Sequence, residues 1–259
     1  MNMKKRSTRL GAALLVLGLV LRLGGVTAAS AHSLRQMDAE PLGILRWGPG
    51  GVTWREETKP PVQPDPLPIF TAADLAQIHM KYATGSSYRP DLEELITSKL
   101  RWDLDSGQPA VLIVHSHGSE AFTKMPGQDY IELANTRTQN TDYNMIAVGE
   151  LLAHRLEAAG IRVIHDRTMH DDPSYNAAYT NSRAAVESYL AQYPEIQLVL
   201  DLHRDSAQNP DGSKYATGVT VDGQKIAQLM LVMGSDAGGY PHPRWEENLA
   251  VALKMLAVL

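Results

Sequence analysis

Val111-Leu112-Ile113-Val114-His115-Ser116-His117-Gly118-Ser119-Glu120 decides the fold, together with its counterpart Leu198-Val199-Leu200-Asp201-Leu202-His203-Arg204-Asp205. Each is an apolar, largely β-branched run that stops abruptly in histidine and acid. An apolar run of that length reads as a buried strand. In open α/β sheets, ligands bind beyond the carboxyl ends of the strands. If the two strands are parallel, their histidines and carboxylates gather at one edge of one sheet. Such a gathering suits a metal site or an acid–base site, not a core.

The flanking sequence supplies the connections. Residues 110–115 form the first strand. Thr141 or Asp142 caps a helix running to about 159, with Met145, Val148, Leu152 and Leu156 as its apolar stripe. Gly160 follows as the residue that ends it. A second strand, 161–164, leads into His165-Asp166, and a helix over 182–193 closes at Pro194. The third strand is 196–202. This β-α-β-α-β order predicts an α/β fold in three layers, a mostly parallel sheet flanked by helices. Asp222-Gly223, between 217–221 and 225–233, is a two-residue hairpin signal. The hairpin is expected to extend the sheet with one antiparallel strand. Residues 248–259 form an apolar helix.

Upstream of the sheet the pattern weakens. Thr71 is an N-cap candidate, and 72–100 holds one or two short helices, the later one carrying acids after Arg89-Pro90. Residues 32–70 read as a stalk with a proline-rich linker over 59–68. At the N-terminus, Lys4-Lys5-Arg6 precedes an apolar stretch, Leu10 to Leu21, which Arg22 interrupts. Ala29-Ser30-Ala31 then offers a small-x-small cleavage pattern. This is a secretory signal peptide or, if uncleaved, a membrane anchor, and the remainder is expected outside the cytoplasm. The expected organisation is 1–31 signal or anchor, 32–95 stalk with short helices, and 96–259 catalytic domain.

Composition narrows the chemistry. The 259 residues suffice for one or two domains. The net charge of −5 and the lack of a basic stripe argue against nucleic acid. The chain has no cysteine, so disulfides and thiolate ligands are excluded and any metal is held by His, Asp, Glu or water. Zinc suits His/Glu ligands, and a catalytic zinc keeps about three protein ligands and an open position. His117, Glu120 and His203 would supply two imidazoles and one carboxylate. His115, two residues before His117, shares its strand face and is a ligand or a group behind the ligands. His117 is favoured because it lies past the strand end. Arg204 offers a bidentate partner for a substrate carboxylate, or pairs with Asp205 to hold the loop.

Other features each admit a structural as well as a functional role. His165-Asp166 and His170-Asp171-Asp172 line the cleft or form a solvated loop. Tyr175 and Tyr179 stack on sugar rings or serve as helix packing. His203-Arg204-Asp205 occurs without a kinase glycine-rich loop or Asp-Phe-Gly. A serine hydrolase reading fails for want of a Gly-x-Ser-x-Gly turn.

From about residue 100 to 253 the chain resembles the amidase domain of the stage II sporulation protein P family. The resemblance is carried by the two opening segments and by Thr141 to Gly149, Gly160 to Thr168, Pro173-Ser174-Tyr175-Asn176, Ser182-Arg183 and Asn248-Leu249, in the family's order. It implies a zinc-dependent N-acetylmuramoyl-L-alanine amidase acting on peptidoglycan, with endopeptidase activity on cross-links. It further implies membrane association in engulfment and two companions, stage II sporulation proteins D and M. The family's metal segments map onto His115, His117 and Glu120, and onto Asp201 to Asp205. The candidate site is therefore His117, Glu120 and His203 as metal ligands, with His115 as the alternative. Glu120 and Arg204 are the candidate catalytic groups, and Arg204, Asp205 and Asn144 the candidate substrate contacts. The family's domain continues past the Asn248-Leu249 helix to a strand whose glutamate serves as general base. This chain ends at Leu259 before such a segment, and Glu246 and Glu247, placed before the terminal helix, are poor substitutes. A C-terminally incomplete domain is expected, with Leu249, Leu253 and Leu256 exposed.

Overall fold

A computed structural model describes residues 13–15, 45–48, 51–54, 69–82, 89–100, 102, 104, 107–205, 209–213, 218–221, 224–227, 229–235 and 242–258. Its strands are β1 (Ala13–Leu15), β2 (Leu45–Gly48), β3 (Gly51–Trp54), β4 (Val111–Val114), β5 (Val163–His165), β6 (Leu198–Asp201), β7 (Gly218–Val221) and β8 (Gln224–Ala227). Its helices are α1 (Leu92–Thr97), α2 (Met145–Ala158), α3 (Ala178–Gln192) and α4 (Trp245–Val258). Short 3-10 turns lie at Ala72–Gln77 and Tyr175–Ala177.

The α/β expectation holds at its centre. Strands β5, β4 and β6 lie side by side and parallel, with Val111 opposite both Val163 and Leu198. The three-residue β1 runs parallel along the outer edge of β6. Because side chains alternate along a strand, the apolar run of β4 serves both faces. Val111 and Ile113 pack with Met145 and Val148 of α2 and Val251 of α4. Leu112 and Val114 pack with Val186 of α3, Ile196 and Val199. Burial on both faces explains why β4 and β6 are unbroken hydrophobic runs rather than alternating ones.

Several expected boundaries move. Helix α2 starts at Met145 with Asn144 as N-cap, its side chain accepting from the Ile146 amide at 3.0 Å, so neither Thr141 nor Asp142 caps it. Helix α3 starts at Ala178, four residues before the expected Ser182. Strands β7 and β8 do form an antiparallel pair. Among the described residues they make a separate two-stranded sheet and do not extend the main one. The expected turn pair Asp222-Gly223 lies outside the described residues, as do the proline-rich 59–68 and 1–31 apart from β1. A second hairpin, β2 with β3, falls in the stretch expected to be a stalk. No helix of the described residues is long and apolar enough to cross a membrane.

The segment before the sheet is packed on the domain. Ile96 of α1, with Leu92 and Leu95, meets Leu249 and Leu253 of α4, and Phe70 and Leu75 join them. Leu249 and Leu253 are therefore buried, against the expectation that they lie exposed, and Leu256 is half-buried. Glu246 and Glu247 lie in the first turn of α4, not before it. Lys254 is buried in the same joint, where its ammonium donates to the carbonyls of Leu95 and Ile96 at 2.9 and 2.5 Å. A cation at the C-terminal end of a helix satisfies carbonyls that lack intrahelical partners.

Candidate metal centre

Strands β4 and β6 end side by side, and a hydrogen-bonded staple fixes their ends. The Ser116 amide donates to Asp201 Oδ1 at 2.8 Å, and the Ser116 hydroxyl donates to Asp201 Oδ2. The chain then turns over 116–119. The Glu120 amide closes that turn on the His117 carbonyl at 3.1 Å. Asp171 braces it from the next loop, accepting from the Ser119 amide at 3.2 Å and from its hydroxyl.

This turn separates two histidines that strand alternation would have kept together. His115 continues the face of Val111 and Ile113 and is fully buried. Its Nε2 lies 2.9 Å from His165 Nε2, and its Nδ1 faces the Leu202 carbonyl at 3.4 Å. A Cβ on Gly149 of α2 would overlap both rings, so any larger residue there must push them aside. His117 swings the other way. Its Nδ1 lies 3.4 Å from His203 Nδ1, and His203 Nδ1 lies 3.6 Å from Glu120 Oε2. His117, Glu120 and His203 are the one group of three among the described residues able to hold a metal ion. His115 stands outside it, so the alternative ligand is not brought to the cluster.

The spacing suits the expected ion. Zinc bonds of 2.0–2.1 Å in tetrahedral geometry place neighbouring ligand atoms about 3.4 Å apart. The two distances from His203 Nδ1, 3.4 and 3.6 Å, match that requirement, and the three ligand atoms all lie within 4.8 Å of one another. The far nitrogen of His203 is held as metal-binding histidines usually are: Nε2 meets Asp201 Oδ2 at 3.1 Å.

The electrostatics follow from this crowding. Burial opposes charge on His203, but hydrogen bonds and charges from Asp201 and Glu120 outweigh it and raise its pKa to about 9. Burial lowers the pKa of His117, with the Glu120 charge opposing and His203 adding to the shift. Burial would raise Glu120, yet the His203 hydrogen bond and the Arg204 charge bring it below the usual carboxylate range. Without metal, the centre is an imidazolium flanked by carboxylates, with a neutral imidazole beside it. A bound cation would take the proton's place.

The remaining candidates fall into place around the centre. Arg204 donates its backbone amide to Glu120 Oε2 at 3.2 Å. Its guanidinium reaches the carbonyls of Ala121 and Thr136 at 3.0 and 3.2 Å, that of Asn135 at 2.5 Å and that of Asp205 at 3.2 Å. Asp205 meets Arg204 through its carbonyl, and its charge also acts on the guanidinium. Asn144 is buried, with its carboxamide NH2 donating to the Thr138 carbonyl at 3.0 Å and its oxygen capping α2. Asp166, His170 and Asp171 are buried rather than solvated, and His170 Nε2 sits 2.9 Å from Asp166 Oδ2. Tyr175 and Tyr179 are 51% and 61% exposed, so they are not core packing. Tyr175 stacks on His117 at 4.6 Å between ring centres, and Tyr179 meets it edge-on at 5.0 Å.

Sequence reasoning missed one residue of the centre. Arg137, in the long loop over 118–141, pairs its backbone with Glu120 as an antiparallel bridge and places NH2 3.6 Å from Glu120 Oε1. No local pattern marks it; the length of a polar loop was the only pointer.

Residues 58–259 match the family model described as stage II sporulation protein P. Stage II sporulation protein P of Bacillus subtilis (strain 168) is 24% identical over 190 residues, which cover 71% of this chain and 42% of the relative. The chain thus spans about two-fifths of the length of the curated relative it matches. No solved structure matches it. With most of its length inside one family model, and the histidine strand ends inside that length, the chain belongs to the stage II sporulation protein P family of sporulation proteins.

Proposed function

We propose that this protein is a zinc-dependent cell-wall hydrolase, an N-acetylmuramoyl-L-alanine amidase that also acts on peptide cross-links of peptidoglycan. The observation that carries this reading is the convergence of His117, Glu120 and His203, with ligand atoms within 4.8 Å of one another, on the edge of a parallel sheet. His117, Glu120 and His203 would hold the ion. Bound zinc lowers the pKa of its water to about 7 and polarises a carbonyl, which suits amide hydrolysis.

The chain's own groups prepare that chemistry. Asp201 orients His203 and is itself held by Ser116. Asp171 fixes the turn that carries His117 and Glu120. The exposed faces of Tyr175 and Tyr179 wall the approach and suit sugar or peptide contacts. The setting is extracytoplasmic, with the N-terminus as signal or membrane anchor and stage II sporulation proteins D and M as companions in engulfment.

One observation favours a second reading, a protein that holds zinc and peptidoglycan with little turnover. Asp201 and Asp171 are engaged with Ser116, His203 and Ser119, so neither stands ready as a general base. General acid–base help is worth about 10²–10⁴ in rate.

Release of dye-labelled peptides from muropeptides, with added zinc and with a chelator, tests the proposal. Zinc-dependent release that His203→Ala abolishes supports the amidase. Zinc-dependent binding of muropeptides without release supports the second reading. Release that persists under chelation contradicts both.

A further inference from the structure

Arg137 is the member of the centre that the proposed chemistry leaves unused. Its guanidinium carbon lies 4.1 Å over the Tyr175 ring, the same ring that stacks on His117. Its ion-pair contact is Glu120 Oε1 at 3.6 Å, too long for a hydrogen bond. Its Nε is buried with no hydrogen-bond partner. A buried donor without an acceptor is destabilising until one arrives. Arg204 makes the contrast: its guanidinium is engaged with four loop carbonyls. Two of these belong to Asn135 and Thr136, which sit at φ 59° and 55°. That left-handed region is rarely visited by a β-branched residue. Backbone held this way is found where a site needs a particular shape, and the residue that follows is Arg137. Arg204 therefore holds the loop, and the loop presents Arg137 beside the exposed tyrosines.

We propose that Arg137, backed by Tyr175, is a substrate-positioning residue that receives a carboxylate of the ligand next to the His117–Glu120–His203 centre. The arginine fork matches a carboxylate through two parallel hydrogen bonds, and Arg137 has an Nε without a partner and an NH2 beyond hydrogen-bond distance of Glu120. The identity of the ligand rests on the peptidoglycan reading: the carboxylate is the α-carboxylate of the stem peptide's D-glutamate, the one nearest the scissile amide.

The test is a pair of ligands titrated into the full chain by NMR, with and without zinc. One is N-acetylmuramyl-L-alanyl-D-glutamate, with a free α-carboxylate. The other is N-acetylmuramyl-L-alanyl-D-isoglutamine, in which that carboxylate is an amide. The parent is expected to bind the acid about tenfold more tightly than the amide, the scale of a charge-assisted hydrogen bond. Arg137→Gln should bring the ratio to about one, and Arg137→Lys should leave it between the two, because charge remains and the fork is lost. Near-UV circular dichroism checks that both variants are folded. Equal binding of acid and amide by the parent overturns the proposal, as does a preference that survives in Arg137→Gln. An Arg137→Gln variant that loses zinc and weakens both ligands equally assigns Arg137 to holding Glu120 and also overturns it. Zinc uptake is read separately. A carboxylate preference without zinc binding sinks the metalloenzyme reading and keeps the subsite, and zinc binding without the preference does the reverse.

Discussion

Two pairs of imidazoles lie at the same edge of the sheet. His115 and His165 approach to 2.9 Å between ring nitrogens, and His117 and His203 to 3.4 Å. Both begin from strands that end in histidine, and both have a carboxylate nearby: Glu150 Oε2 is 3.2 Å from His165 Nδ1, and Glu120 Oε2 is 3.6 Å from His203 Nδ1. Their surroundings differ. The first pair is roofed by Gly149 of α2, and its Glu150 is bound outward to Arg167. The second has two carboxylates on one imidazole and exposed tyrosines beside it. Proximity of histidines is therefore not what makes a candidate metal centre. A carboxylate facing the gap, a second one fixing the far nitrogen, and exposed tyrosines beside the rings distinguish the candidate centre.

His203 and His115, one from each pair, should respond to pH with opposite sign. His203 is raised to about 9, so its contribution to the stability of the metal-free protein is fully present below pH 6.5 and is lost as pH rises toward 9. That loss is about 3 kcal/mol. Burial and the His165 charge lower His115 to about 3, so its contribution is present above pH 6.5 and is lost as pH falls toward 3. Urea melts of chelated protein across this range should show His203→Gln flattening the alkaline limb and His115→Gln the acid limb. The same limb flattened by both variants would break the comparison.

Smaller effects sharpen it. Removing the brace on His203 with Asp201→Ala should lower zinc affinity about 10–100-fold, measured by competition with a chromophoric chelator. Gly149→Ala pushes a methyl into the His115–His165 contact and should cost about 1–3 kcal/mol in urea melts, with zinc affinity unchanged. Asn144→Ala removes the α2 cap and should cost about 1 kcal/mol. A loss of ligand binding out of proportion to that cost would mark Asn144 as a substrate contact as well as a cap.

What the sequence revealed follows the same division. The apolar runs of β4 and β6 are buried on both faces, so their pattern is local and legible, and so was the gathering of His117, Glu120 and His203 at their ends. The parting of His115 from His117 was not legible, because it depends on a turn over 116–119 that Asp171 and Asp201 hold from distant loops. The cap of α2 was ambiguous because Thr141, Asp142 and Asn144 are all competent capping residues. Which sheet a hairpin joins depends on distant elements, so the hairpin signal at Asp222-Gly223 predicted a pair but not its neighbours. Pro49-Gly50 was a turn signal for β2 and β3 that the proline-rich context obscured. The burial of Leu249 and Leu253 depends on α1, more than 150 residues earlier in the chain.

The most direct measurement is zinc stoichiometry by metal analysis after dialysis, on the parent and two double variants. The account predicts one zinc per chain for the parent and for His115→Ala/His165→Ala, and none for His117→Ala/His203→Ala. Zinc retained by His117→Ala/His203→Ala, or lost from His115→Ala/His165→Ala while that variant remains folded, would contradict it.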